Sequence, residues 1–437
     1  MAVFRQSRRR FLQSVTATGG AAFFASRLPA QVRAATSAGP DLQGLRDKID
    51  HIVVIYQENR SFDHYFGAYQ PPGGGAVANL LDREGQVDAR FTGLQTNPAG
   101  VPYGYLPVPF QVPGFADALL DNRPFHLTPY IAPDANVLWD PSHHFFRMFA
   151  QIDHGKMDRF VALALTGKHV FFDKGPGSDA VAMMLAQSTP SGAVLGYYTR
   201  EDLPHYHHLS DEYVLYDHFF QAMSGGSTGN ALYLAAARSA QWSKPPAAKT
   251  GSLDPPVFDK PYDKAGILIN DVAPVNGPTE TFMGSLDLAP PPEEQTYPNI
   301  GDRLDAASLG WAWYNEGWNA VKSWALKTAF GAGDGSVVVD TPGLYLSHHN
   351  PFQYYPSWFA NVRAGRMRDS EDFLEDLKTG RLPRVSFLKA TGGRDEHPAE
   401  SAPRWGEAWV MGLLKALGAS RLWEKTAIIV TYDEGGG

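Results

Sequence analysis

One run of residues near the start of the chain sets the architecture that we expect: His51-Ile52-Val53-Val54-Ile55-Tyr56. It is β-branched and almost wholly apolar, which is typical of a strand buried on both faces of a parallel sheet. A second run near the end, Thr426-Ala427-Ile428-Ile429-Val430-Thr431-Tyr432, has the same character. Weaker strand patterns lie at residues 213–216, 310–314 and 385–388.

Helical patterns lie between these strands, at residues 155–164, 230–240 and 405–417. The last has apolar residues at helical spacing and ends before Gly418, a common stop signal. The alternation predicts an α/β fold built on a mostly parallel sheet that helices cover. Three Pro/Gly-rich segments, 70–76, 244–256 and 276–298, are predicted to be insertion loops.

Composition narrows the classes of function. The chain has 437 residues, a net charge of −8 and no cysteine. No Lys/Arg-rich block follows the N-terminus, which argues against a nucleic-acid-binding protein. Without cysteine, any metal must be held by oxygen and imidazole ligands. No later apolar stretch is long enough to cross a bilayer, so we do not expect an integral membrane protein. Nothing in the sequence indicates an oligomeric state.

The N-terminal segment has the pattern of an export signal. It begins with a twin-arginine motif, Ser7-Arg8-Arg9-Arg10-Phe11-Leu12-Gln13, followed by an Ala/Gly-rich apolar run over residues 14–24. Small residues suited to cleavage follow at Val32-Arg33-Ala34. This order predicts a twin-arginine signal peptide over residues 1–35 and a periplasmic or secreted mature protein.

Acidic clusters follow the two strongest strand patterns. Glu58 and Asn59 come just after the first, and Asp433 and Glu434 directly after the last. Ligands of open α/β sheets lie outside the carboxyl ends of the strands. Carboxylate and amide oxygens are the ligands that hard divalent cations prefer. One such cluster alone is more often a polar loop, but two on two buried strands favour a metal site.

A nucleophile candidate lies in the Gly-rich segment Met223-Ser224-Gly225-Gly226-Ser227-Thr228-Gly229-Asn230. Glycines before a serine at a helix N-terminus let the backbone approach an anion, and free N–H groups there stabilise phosphate charge. On spacing alone, Ser227 could equally be a helix N-cap, which is the commoner fate of a serine before a helix.

Histidines are clustered rather than scattered. They include the adjacent pairs His143-His144 and His348-His349, a group at His205, His207 and His208, and His397. Adjacent imidazoles in loops rich in Pro and Asp tend to bind phosphate, bind metal or transfer protons.

Several long stretches resemble one known family, the bacterial phosphoesterase superfamily of phospholipases C and AcpA-type acid phosphatases. Residues 49–67, which include Gln57-Glu58-Asn59-Arg60-Ser61-Phe62-Asp63, resemble its opening signature, and residues 430–437 resemble its second. Intermediate matches occur at residues 151–158, 217–222, 225–227 and 396–398. The resemblance covers residues 49–437, which form one predicted phosphoesterase domain. Family members normally continue beyond the second signature, so we expect this domain to be cut short at its C-terminus, either as a fragment of a longer protein or as a truncated protein.

The resemblance implies an alkaline-phosphatase-like fold: a central, mostly parallel sheet with helices on both faces and long loop insertions. It also implies site residues, in three groups. The metal ligands would be Glu58, Asn59, Asp433, Glu434 and Ser227. The catalytic residues would be Ser227, the nucleophile, with His397, His348 and His349. The substrate-binding residues would be His143 and Lys156.

The implied reaction is hydrolysis of phosphate monoesters through a phosphoserine. Ser227-Thr228-Gly229 is closer to the acid phosphatase branch than to the phospholipases C, which commonly have a threonine nucleophile. A one-residue shift to Thr228 stays open. The alternatives are a phospholipase C acting on phospholipid phosphodiesters and an inactive binding protein. The partner would be a small phosphate ester or a phospholipid head group. The divalent metal would be calcium, magnesium, manganese, zinc or iron, and an imidazolium acid would favour a pH optimum below neutral.

Overall fold

The computed structural model of the chain describes residues 42–108, 115, 119–137, 139–166, 188–253, 256–279, 288–331 and 345–436. The predicted signal peptide at residues 1–35 lies outside these ranges. Within them, no helix combines the length and the apolar character needed to traverse a bilayer.

Strands and helices alternate along the described ranges. The strands are β1 His51–Gln57, β2 Phe125–His126, β3 Leu165–Thr166, β4 Ser188–Thr189, β5 Gly196–Tyr197, β6 Ser252–Leu253, β7 Pro256–Val257, β8 Trp311–Asn315, β9 Met367–Arg368, β10 Val385–Lys389 and β11 Thr426–Tyr432. The α-helices are α1 Leu42–Lys48, α2 Phe62–Phe66, α3 Phe145–Ile152, α4 Pro204–Glu212, α5 Ser227–Ala236, α6 Ile300–Ala306, α7 Trp318–Ala329, α8 Trp358–Arg363, α9 Ser370–Thr379 and α10 Pro403–Gly418.

The central sheet has five strands in the order β11-β1-β10-β8-β9, and every neighbouring pair is parallel. Successive side chains of β1 enter different cores. Val53 and Ile55 pack with residues of α9 and α10 on one face, whereas Val54 and Tyr56 pack with residues of α5 to α8 on the other. The predicted α/β fold, with a parallel sheet and helices on both faces, is therefore confirmed.

Most of the predicted strands are confirmed. The two strongest patterns form β1 and β11, which lie side by side, and residues 310–314 and 385–388 fall on β8 and β10. The strand predicted at residues 213–216 is wrong. Helix α4 runs up to Glu212, and beyond it Tyr213, Val214 and Tyr216 are 61%, 76% and 71% exposed. β-Branched and aromatic residues favour a strand because their side chains pack well on a pleated surface. A strand also needs a neighbouring strand to pair with, which this pattern does not provide.

Two of the three predicted helices are confirmed with shifted ends. Residues 405–417 lie within α10, and residues 230–240 overlap α5, which begins at Ser227 and ends where Ala237 becomes left-handed. The helix predicted at 155–164 is wrong. The backbone is left-handed at Asp153, His154 and Met157, which breaks an α-helix at its first turn.

The predicted insertion loops are mostly irregular. Residues 70–76 carry no helix or strand. The segment 244–256 contains a 3₁₀ turn, Ala247–Lys249, and the short hairpin strands β6 and β7, of which β7 starts at its last residue. In the third segment, the described residues 276–279 and 288–298 contain one 3₁₀ turn, Pro292–Glu294.

Candidate active site

Three parallel strands deliver the site residues to one edge of the sheet. Glu58 and Asn59 follow β1, Asp433 and Glu434 follow β11, and the loop after β10 carries His397. Backbone bonds join the three segments. Asp433 N donates to Gln57 O at 3.0 Å, and Glu58 N donates to Asp395 O at 2.9 Å. Parallel pairing of adjacent strands therefore places clusters that are far apart in sequence side by side.

Asn59 stands between acidic side chains and Ser227. When its NH₂ group faces them, the amide nitrogen lies 3.1 and 3.2 Å from the two Asp433 oxygens, 3.2 Å from Ser227 Oγ and 3.3 Å from Glu58 Oε2. These side chains are all almost completely buried. The structure thus gathers the oxygens of both acidic segments and the serine hydroxyl around one atom. With Glu434 they form a set that we name the oxygen cluster: Glu58, Asn59, Ser227, Asp433 and Glu434.

Ser227 is the first residue of α5, and Gly226 is the N-cap, so the N-cap alternative for Ser227 is wrong. Its Oγ lies 3.2 Å from the same Asn59 amide atom and 3.3 Å from Glu434 Oε1. The cap comes from elsewhere, since Asp271 Oδ1 accepts from Thr228 N at 2.8 Å. A side chain at Gly226 would overlap the Asp271 carboxylate, 2.3 Å from Oδ2. The glycine is needed because another segment caps this helix.

The oxygen cluster carries an excess of buried negative charge. Lys389, at the end of β10, is wholly buried and pairs with Glu58 Oε1. Burial and the neighbouring Glu58 carboxylate raise the pKa of Asp433 well above its ordinary value. Burial also raises the pKa of Glu434, although His143 opposes the shift. Glu434 Oε2 is buried and has no hydrogen-bond partner among the residues that the structure describes. Oxygen donors with uncompensated charge and an unused lone pair fit a hard divalent cation.

Histidines border the other side of Asn59. His397 Nε2 lies 2.7 Å and His143 Nδ1 2.8 Å from the Asn59 amide, and His143 Nδ1 is also 2.9 Å from Glu434 Oε1. Burial acts to lower the pKa of His143, but the carboxylates of Asp140 and Glu434 raise it well above its ordinary value. His143 is therefore held as a cation against two carboxylates.

The adjacent pair His348 and His349 is buried beside Glu58. Their ring centroids are 3.9 Å apart, and His349 Nε2 lies 3.5 Å from Glu58 Oε2. Burial, His348 and Lys389 together lower the pKa of His349 well below its ordinary value. His349 is therefore a neutral imidazole that can donate or accept a hydrogen bond but is not a ready acid.

Two residues of this region were missed by the sequence analysis. Asp140 contacts His143 Nε2 at 3.1 Å, and Asp140, His143 and His397 offer ligand atoms that all lie within 4.8 Å of one another. These three residues are a second group that could hold a metal ion. The sequence signal for Asp140 is an acidic residue three positions before His143.

The second residue that the sequence analysis missed is Lys389. Its sequence signal is a lysine at the end of an otherwise mostly apolar strand.

Lys156, predicted to bind substrate, belongs to another cluster of charges. Its Nζ donates to Asp153 Oδ2 at 2.6 Å, Arg159 contacts the same carboxylate at 3.3 Å, and the Lys156 side chain is half exposed. The other predicted site residues lie together at the edge of the sheet, and the role of Lys156 stays a prediction.

The chain is similar to proteins of known family. The chain matches the model of the Phosphoesterase family over residues 49–437. Phospholipase C A of Mycobacterium tuberculosis is 27% identical over 438 residues, which cover 99% of this chain and 66% of that protein. Hemolytic phospholipase C of Pseudomonas aeruginosa is 25% identical over 446 residues, 98% of this chain and 48% of that protein.

A third relative, non-hemolytic phospholipase C of Burkholderia pseudomallei, is 27% identical over 451 residues, which cover 99% of this chain and 50% of that protein. The chain thus spans 48% to 66% of the length of these relatives. The family match includes both signatures and nearly all described residues, so the predicted resemblance is confirmed. This chain is a member of the Phosphoesterase family.

Proposed function

We propose that this chain is a metal-dependent hydrolase of phosphate esters in which Ser227 attacks phosphorus. The observation that carries the proposal is the convergence of Glu58, Asp433 and Ser227 oxygens within 3.3 Å of one Asn59 amide atom. Buried carboxylates next to a hydroxyl at a helix N-terminus form a site that favours a cation and a phosphoryl group together. Family membership supports the same class of reaction.

The oxygen cluster would hold the metal through Glu58, Asp433 and Glu434 and through Asn59 with its amide oxygen turned toward the carboxylates, with Ser227 beside it. A bound divalent cation would polarise a phosphoryl oxygen and lower the pKa of the serine hydroxyl. Magnesium, calcium and manganese suit these oxygen donors, whereas the second group of Asp140, His143 and His397 would suit zinc or iron.

Ser227 would act as the nucleophile because its Oγ is the hydroxyl that faces this cluster. Glu434 Oε1, 3.3 Å away, is placed to accept its proton. A bond forms between Oγ and phosphorus while the bond from phosphorus to the leaving oxygen breaks, which gives a phosphoserine. Water then attacks phosphorus from the vacated side, which breaks the bond between phosphorus and Ser227 Oγ, returns a proton to Oγ and releases the phosphate product. The N-terminus of α5, where Ser227 lies, carries a partial positive charge that stabilises the negative phosphoryl group in both steps.

His397 is the best candidate for the acid that protonates the leaving alcohol. It is partly exposed and lies against Asn59, whereas His349 is buried and held neutral. His143 would bind the phosphoryl group as a cation when Asp140, His143 and His397 hold no metal, because only a neutral imidazole ligates a metal ion. An imidazolium acid favours turnover below neutral pH, and a pH–rate profile that rises steadily into the alkaline range would contradict this assignment.

Two substrate classes have separate support. The names of the relatives favour the phosphodiesters of phospholipids. The Ser-Thr-Gly sequence at Ser227 favours phosphate monoesters. Release of nitrophenol from nitrophenyl phosphate and from nitrophenyl phosphocholine, with a divalent cation present, distinguishes them. We expect at least one ester to be hydrolysed by the wild type and neither by Ser227→Ala. Hydrolysis of neither ester by the wild type would favour an inactive binding protein.

We also propose export by the twin-arginine route, on the motif around Arg8 and Arg9. Replacing both arginines by lysine in the full chain should trap the precursor inside the cell while leaving its synthesis unchanged. Processing of the double variant at the wild-type rate would contradict this route.

A further inference from the structure

Glu396 is wholly buried, and its carboxylate accepts four hydrogen bonds. Tyr65 and Tyr432 donate their hydroxyls to Oε2 at 2.6 and 2.9 Å. Gln57 Nε2 donates to Oε1 at 3.0 Å, and the Tyr206 hydroxyl donates to the same oxygen. Four donors thus meet on one buried carboxylate, two at each oxygen.

The network reaches the three strand ends that supply the site. Its members directly precede site residues in the sequence: Gln57 before Glu58, Tyr432 before Asp433, and Glu396 before His397. A shift of Glu396 would therefore move Glu58, Asp433 or His397 relative to the other two residues.

The backbone of Glu396 is held as firmly as its side chain. Its φ is +79°, a left-handed conformation that is strained for glutamate. Its N–H donates to Ser401 Oγ at 2.8 Å, and its carbonyl accepts from Arg60 Nε at 2.6 Å. Gly406 in α10 leaves space for the Glu396 side chain, since a Cβ there would overlap it. Such strain persists only where surrounding contacts over-determine the conformation.

The tyrosines are fixed as donors. Burial, and then the Glu396 carboxylate, raise the pKa of Tyr65 and Tyr206 well above the ordinary value. Each phenol therefore keeps its proton and directs it at Glu396.

We propose that Glu396 is a positioning residue of the phosphoesterase site: its carboxylate sets the spacing of the segments that carry Glu58, Asp433 and His397. This inference rests on the proposed function for its kinetic consequence and on geometry for the rest. Residues that orient metal ligands from outside typically change affinity or activity by about 10- to 100-fold when altered.

The test compares Glu396→Gln with Asp376→Asn in the full chain. Asp376 is a matched control, because it is also buried and accepts from a tyrosine, Tyr314, at 2.7 Å, away from the site. We expect Glu396→Gln to lower kcat and to weaken Mn²⁺ binding, measured by titration calorimetry, by about tenfold or more each. Its KM should change less than about threefold, and Asp376→Asn should leave both quantities within about twofold of the wild type.

Crystal structures of both variants separate this inference from the proposed function. In Glu396→Gln the contact of 2.7 Å between His397 Nε2 and the Asn59 amide should lengthen beyond hydrogen-bond range, and in Asp376→Asn it should persist. That readout holds even if the wild type hydrolyses neither ester. An unchanged contact in Glu396→Gln, with kinetics like those of Asp376→Asn, would overturn the proposal.

Removal of single hydroxyls keeps the test available if Glu396→Gln does not fold. Tyr65→Phe and Tyr432→Phe each delete one donor to Glu396, and Tyr314→Phe deletes the matched donor to Asp376. We expect the first two to lower kcat by about three- to tenfold while Tyr314→Phe does not. Equal kcat and Mn²⁺ affinity in all three variants would overturn the proposal.

Discussion

The backbone N–H of Asn59 donates a 2.8 Å hydrogen bond to Oδ1 of Asp433, a residue 374 positions further along the chain. Asn59 is left-handed, with φ +47°, a conformation that asparagine tolerates better than most residues. The bond joins the ends of the adjacent strands β1 and β11 and is charge-assisted. It holds the two acidic segments against each other at the edge of the sheet.

The nucleophile assignment predicts different effects of two neighbouring substitutions. Ser227→Ala should lower kcat by a factor of about 10³ or more, because the attacking oxygen is lost. Thr228→Ala should change kcat far less, because Asp271 caps the helix through the backbone N–H of Thr228, which alanine keeps. Steady-state rates on the better nitrophenyl ester measure both. A larger loss in Thr228→Ala would move the nucleophile by one residue.

The number of metal ions per chain shows whether one or both of the candidate metal sites bind an ion. Chelator should abolish turnover and lower Tm, because the uncompensated carboxylates of the oxygen cluster then stay together. Elemental analysis should give one ion per chain if only this cluster binds and two if Asp140, His143 and His397 also bind. Asp433→Asn should remove the first ion and Asp140→Asn only the second. Full metal content in Asp433→Asn would contradict the proposed ligands.

Lys389→Met should destabilise the protein strongly when no cation is bound. The substitution leaves the buried Glu58 carboxylate without its ammonium partner, and breaking a buried pair typically costs about 3–5 kcal/mol. Lys378, an exposed lysine 3.8 Å from Glu375, is the matched control, and Lys378→Met should cost about 1 kcal/mol or less. Denaturant unfolding with and without Mn²⁺ measures both. Equal losses in the two variants would contradict the predicted burial effect.

The buried carboxyls of the oxygen cluster should make the metal-free protein less stable as pH rises. The pKa of Asp433 and of Glu434 is raised in the folded state, so above the ordinary carboxyl pKa of about 4 the folded protein binds more protons than the unfolded chain. The raised pKa of His143 acts in the same direction. The lowered pKa values of His349 and His64 act in the opposite direction and are common to both proteins, so the test is the difference between them. Between about pH 5 and 8, Tm of the chelated wild type should fall relative to Tm of chelated Asp433→Asn. Equal pH slopes would contradict this account.

Gly226→Ala should impair both stability and turnover. The new Cβ would displace the Asp271 carboxylate, which caps α5 through Thr228 N, and loss of a cap costs about 0.5–2 kcal/mol. Displacement would also move Ser227. Gly412→Ala in α10 is the control, because nothing lies within 4 Å of its Cβ and the helix should gain about 0.5–1 kcal/mol. Unfolding curves and kcat together show whether the two glycines differ.

Local pattern determined much of the fold. The apolar runs of β1 and β11 can bury both of their faces only inside a parallel sheet, and the spacing of apolar residues marked α10. The predictions were wrong where a segment's structure depends on residues far away in the sequence. Residues 213–216 have strand composition but pair with no strand in the described part of the chain, and residues 155–164 are interrupted by left-handed positions that the sequence does not show.

The sequence by itself determined which residue types were available: two acidic segments after buried strands, a serine among glycines, clustered histidines and no thiolate. Only the tertiary structure decided which of them meet. Parallel pairing of β1 with β10 and β11 brings together residues hundreds of positions apart, whereas Lys156 pairs with Asp153 instead. It also placed Lys389 and Asp140 in the site. Such contacts depend on strand order and loop path, which long-range packing sets and short sequence patterns do not encode.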